Sequence, residues 1–149
     1  MRLRNFVWIG VIAVVLIGGF IFRDVLSGQA ADLQVGDCFD LPPATQTEVD
    51  EVQHRPCTDD HQAEAFFVEN YPGSRDDPFP GAAAMDDFIA ENCIPAFVSY
   101  TGKDYYTDEV LDLSAFTPVS EGWKQGDQEV TCFLFRIDEA KFKGSQKAG

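Results

Sequence analysis

The sequence predicts a small α+β domain behind a membrane anchor: an antiparallel sheet of about four or five strands, one kinked helix packed on it, two disulfides and one N-terminal transmembrane helix. Three observations carry this expectation. Phe6 to Phe22 is an unbroken apolar run with arginines on both sides, and all four cysteines lie beyond it. The rest of the chain sets one stretch of helical periodicity, Met85 to Tyr100, among short alternating or wholly apolar segments.

The apolar run comes first because it decides the compartment. At about 1.5 Å per residue it covers roughly 25 Å as a helix, the short end of what a bilayer core accepts. Arg2 and Arg4 precede it, whereas Arg23 on the far side is offset by Asp24. The positive-inside rule then holds Met1 in the cytoplasm and exports the chain beyond the run. The expected organisation is a cytoplasmic arm at residues 1-5, a transmembrane helix at 6-22, a polar linker at 23-32, an extracytoplasmic domain at 33-138, and a tail at 139-149. The tail lacks apolar periodicity and is expected to be disordered. An alternative is a signal segment cleaved near Ala30, where Gly28, Ala30 and Ala31 are small. Gly10 and Gly18 are too far apart for a GxxxG face, so no dimer through the membrane is expected.

Charge excludes one class of partner. Residues 32–149 carry 24 acids against 8 bases, and no Lys or Arg cluster exists to meet phosphates, so nucleic acid and anionic lipid surfaces are excluded. Export also explains the cysteines. Four thiols in an oxidising space read as two disulfides, for which three pairings exist. Cys38 with Cys57 and Cys93 with Cys132 is favoured on element geometry, since Cys93 falls on the buried stripe of a helix and Cys132 on the sheet below it.

In chain order, Leu33–Phe39 reads as a short strand entering a turn at Gly36 and Asp37, and Leu41–Thr47, with Pro42 and Pro43, as a loop. Val49–Pro56 has the mix of an exposed strand, although Val49 and Val52 leave its period undecided. Ala63–Val68 is short and apolar on both faces, which suits a central strand. Tyr71–Gly81, rich in Pro and Gly, is a loop. Met85, Phe88, Ile89, Cys93, Phe97 and Tyr100 form the apolar stripe of a helix that Gly102 can end, with a kink or break expected at Pro95. Leu111–Val119 alternates as a strand, Ser120–Asp127 supplies Gly122 and Gly126 for a hairpin connection, and Glu129–Ile137 is apolar on both faces as a central strand.

Three pieces are more specific together than apart: VGDCF at Val35–Phe39, CTDDHQAEAF at Cys57–Phe66, and GWKQGDQEVTC at Gly122–Cys132. This ordering resembles the septum formation domain family of actinobacterial membrane-anchored envelope proteins. Asp60, Ala65 and Gln128 depart from the residues usual there. The resemblance implies a tethered, exported domain related to septum formation, and it brings no reaction, cofactor or catalytic residue. The matched Gly36, Asp37, Gly126 and Asp127 read as turn residues whose carboxylates accept backbone hydrogen bonds, and Trp123 as a cover over the end of a small core.

The best candidates for chemistry are His61 and Glu64, near His54, Asp59 and Asp60. An imidazole and a carboxylate at this spacing can ligate a metal or exchange protons. On a regular strand, however, the two side chains point to opposite faces, and the favoured role of His61 is to hydrogen-bond the turn after Cys57. No CxxC motif, nucleophile elbow or phosphate loop is present, and Asp59–Asp60 and Asp76–Asp77 lack EF-hand spacing. The expected function is a non-catalytic binding or scaffold module of the cell envelope, without cofactor, whose partner is another envelope or division protein. The alternative is an exported metal-dependent hydrolase or cation-binding protein centred on His61 and Glu64.

Overall fold

The computed structural model describes residues 27–43 and 51–149. The apolar run at 6-22 lies outside the described residues, and no helix among them is long and apolar enough to cross a membrane. Strands β1 (Ser27–Gln29), β2 (Cys38–Asp40), β3 (Glu51–Arg55), β4 (Ala63–Asn70), β5 (Leu111–Phe116) and β6 (Glu129–Arg136) form an antiparallel sheet of five strands extended at one edge by the three-residue β1. The order is β1-β3-β2-β4-β6-β5. The two strands expected to be central, β4 and β6, lie side by side in its middle.

Side-chain alternation gives the sheet two buried faces. Val130, Cys132 and Leu134 of β6 face the helix with Phe66 of β4, where they meet Met85, Cys93, Phe97 and Tyr100. Phe133 turns the other way, onto Phe39, Ala63 and Ala65 in a second cluster with Leu33 and Val52. A register shift between Ala65 and Phe67 marks a bulge in β4.

The helix is continuous from α1 (Ala82–Phe88) through a π-turn at Ile89–Cys93 into α2 (Ile94–Thr101). Pro95 accounts for the π-turn. Its ring excludes an ordinary bond to the carbonyl four residues back, and the wider turn before it absorbs the mismatch without ending the helix. Asn92 Nδ2 donates to the Phe88 carbonyl at 2.8 Å within this turn. Gly102, at φ 70, ends α2. The disulfides pair Cys38 with Cys57 and Cys93 with Cys132, at Cα separations of 5.2 and 6.1 Å.

Other expectations are corrected. Leu33–Phe39 is a strand only from Cys38, because Ala30–Asp32 forms a 3-10 turn and Gly36, at φ 97, reverses the chain. Ser27–Gln29, expected in a polar linker, pairs with β3. Ser120–Asp127 is a short helix, α3 (Ser120–Gln125), rather than a hairpin turn. Trp123 explains the difference: buried on the core, it draws this segment into a helical turn, and Gly126 at φ 98 ends it. The tail expected to be disordered runs back across the domain, with Phe142 bridged to His61. Backbone hydrogen bonds, which apolar periodicity does not report, hold it there.

Candidate functional site

A buried polar cluster lies where the tail crosses the start of β4. Glu64 occupies the second position of β4, on the face covered by α2, and is fully buried. Cys38 of β2 is its cross-strand neighbour. From α2, Tyr100 donates its hydroxyl hydrogen to Glu64 Oε1 at 2.6 Å. From the tail, the Ser145 hydroxyl donates to the same oxygen and the Gln146 amide donates to Oε2 at 2.7 Å. Three donors thus offset the desolvation of one carboxylate. Burial first, and then the Glu64 hydrogen bond, push the Tyr100 hydroxyl well above its ordinary range, so it stays protonated and stays a donor. Lys147 of the tail lies 5.9 Å from the Tyr100 ring centroid.

His61 is equally buried. It precedes the regular strand, so the alternation that sets residues on opposite faces does not reach it, and it lies beside Glu64. The nearest ligating atoms of Cys38, His61 and Glu64 all lie within 4.8 Å of one another. Nδ1 of His61 is 2.9 Å from the Asp59 carbonyl oxygen. A carbonyl only accepts, so Nδ1 carries the hydrogen. Nε2 has no hydrogen-bond partner among the described residues. The ring edge packs on Phe142 at 4.3 Å between centroids.

Metal chemistry has a partial donor set here. His61 presents a free lone pair oriented by a backbone carbonyl, as metal-ligating histidines do. Against this, the Cys38 sulfur is bonded to Cys57, and the Glu64 oxygens are already engaged. What the arrangement does well is accept hydroxyl and amide donors from an extended segment. His54 lies outside this group, on β3 opposite Phe39 of β2.

The remaining motif residues build turns around the site. Asp37 Oδ2 accepts the Gln34 amide at 2.9 Å, and the Gly36 amide donates to the Ala65 carbonyl at 2.7 Å, which fixes this turn against β4. Asp127 accepts the Glu129 amide, and Trp123 Nε1 donates to the Asp77 carbonyl at 2.9 Å.

A family model described as septum formation matches residues 25–132, most of the chain. This chain belongs to the septum formation family. Comparison with curated proteins and with solved structures returned no match. The family span holds Cys38, Cys57, His61, Glu64, Tyr100 and Trp123, while Ser145 and Gln146 lie beyond it. Sequence reasoning missed three members of the site in this septum formation domain. Tyr100 falls on the apolar stripe for its ring, and nothing local marks its hydroxyl. Ser145 and Gln146 lie in a segment whose only signal is a basic, glycine-containing composition.

Proposed function

We propose that this septum formation family member is a membrane-anchored, extracytoplasmic binding module that assembles with another envelope or division protein and carries no catalysis of its own. The observation that carries the reading is the state of the candidate chemical pair. His61 and Glu64 are fully buried and roofed by the tail, and the neighbouring sulfurs are tied in a disulfide. A site built for turnover needs access for substrate and solvent. The apolar run at 6-22 supports the anchor, and two disulfides support an oxidising compartment outside the cytoplasm.

Cross-linking of the full chain in dividing cells tests this. The expected neighbours are wall-growth and division proteins, and a set unrelated to either would remove the assignment. A cation-binding role has one observation of its own, the proximity of His61, Glu64 and Cys38 with Nε2 unpartnered. Metal analysis of purified protein beside a His61→Ala variant decides it: stoichiometric metal lost in the variant would replace the binding-module reading.

A further inference from the structure

The tail is held as a bound ligand is held. Beyond β6 the chain turns at Glu139, whose φ of 58 is costly for a residue other than glycine. It then lies antiparallel to the stretch ahead of β4. His61 and Phe142 exchange backbone hydrogen bonds at 3.0 and 2.9 Å, the Gly144 amide donates to the Cys57 carbonyl at 2.7 Å, and the Ala148 amide donates to the Tyr100 carbonyl at 2.8 Å. Ser145 and Gln146 engage Glu64 between these. Phe142 is the one large apolar side chain the segment contributes, and it is only half-buried. Recognition therefore rests on main-chain polarity, one hydroxyl and charge, as in strand addition.

Charge points the same way. Residues 32–139 carry 24 acids and 5 bases, whereas residues 140–149 contribute Lys141, Lys143 and Lys147 and no acidic side chain. Lys141 reaches both oxygens of Asp40, at 2.9 and 3.0 Å. A buried carboxylate contributes little to net stability compared with an apolar side chain of similar size, but it discriminates sharply among donors. Without the tail, Glu64 keeps Tyr100 alone among these donors, so exchange of one segment for another is favoured over an empty site.

Resting on the reading of this chain as a binding module, we propose that the channel beside His61, Glu64 and Tyr100 is its partner-docking site. The occupant is an extended basic segment of another envelope protein, with a hydroxyl residue, a free backbone amide immediately after it, and a lysine next. The chain's own residues 141–148 are the built-in competitor. Tail release then sets apparent affinity, because only the open fraction can bind.

The test uses the full chain and a labelled peptide of residues 140–149 as the probe, followed by fluorescence anisotropy. A variant carrying Ser145→Ala and Gln146→Pro loses both tail donors to Glu64. It is expected to bind the peptide about tenfold or more tightly than the wild type, and more weakly as salt rises. Adding Glu64→Gln is expected to remove that gain. Equal binding by wild type and variant, a gain indifferent to Glu64→Gln, or an Ala148 amide still protected from exchange in the variant would each overturn the proposal. Should the variant fail to form both disulfides, a protease site spanning residues 138–141 lets the tail be cut after folding. The cut tail is expected to stay bound and to exchange with labelled peptide, and loss without rebinding overturns the docking site. Failure of peptide exchange with division proteins still found as neighbours removes this channel alone. Exchange without such neighbours removes the septal assignment alone.

Discussion

Tyr100 and Glu64, 36 positions apart in sequence, are joined by a 2.6 Å hydrogen bond that ties the helix to the start of β4 with both side chains buried. The bond has no substitute on the helix side, so Tyr100→Phe leaves the carboxylate one donor short. The expected cost is about 1–3 kcal/mol of unfolding free energy. Urea unfolding measures it, and in a double-mutant cycle the loss should shrink when Glu64→Gln is already present.

The two disulfides close unequal stretches of chain, with separations of 19 for Cys38–Cys57 and 39 for Cys93–Cys132. On loop entropy alone, replacing Cys93 and Cys132 by alanine should cost about 0.6 kcal/mol more than replacing Cys38 and Cys57. Each pair is expected to contribute about 2–5 kcal/mol. Denaturant midpoints of the two double-alanine variants, with intact mass confirming the remaining bridge, give the comparison.

Tail docking is expected to weaken in acid. Burial opposes ionisation of Asp40, but hydrogen bonds and charge from Lys141 and Arg55 outweigh it and hold its carboxyl below the usual value. A carboxylate lowered on folding contributes stability fully present above its unfolded pKa, about 3.9, and lost as pH falls through the lower folded value. Protection of the tail amides of Phe142 and Gly144 should therefore hold from pH 7 to about 4 and decline below it. Asp40→Asn should diminish that step and lower protection at neutral pH, by less than about 1 kcal/mol because the pairs are partly exposed.

Glu129 behaves in the opposite sense. Burial raises its carboxyl, with Asp127 and Asp32 adding to the effect against the Thr131 hydrogen bond. Ionisation then costs more in the folded than in the unfolded state, so the penalty is present at neutral pH and is relieved as pH falls through the raised value. Glu129→Gln keeps an oxygen for the Thr131 hydroxyl, which donates at 3.1 Å. It should raise the melting temperature at pH 7, with the gain vanishing in acid.

Much of the architecture was legible locally. The stripe from Met85 to Tyr100 announced the helix, and the two-sided apolar runs at Ala63–Val68 and Glu129–Ile137 announced the central strands. At Ser120–Gln125 the two nearby glycines suggest a turn, whereas packing of Trp123 against Phe79 and Tyr71 selects a helix. Pro95 marked the helical irregularity, but the π-turn that absorbs it depends on the continuous burial of Cys93 and Phe97 on the sheet.

The sequence by itself determined the apolar run, the acidity, the periodicities and, through them, which cysteines could meet. Tertiary structure alone decided that His61 and Glu64 lie side by side and that Tyr100, Ser145 and Gln146 complete the cluster. The physical reason is range. Periodicity reports which face of an element is buried, whereas a buried carboxylate is satisfied by whichever donors the folded chain brings near, here from 36, 81 and 82 positions away.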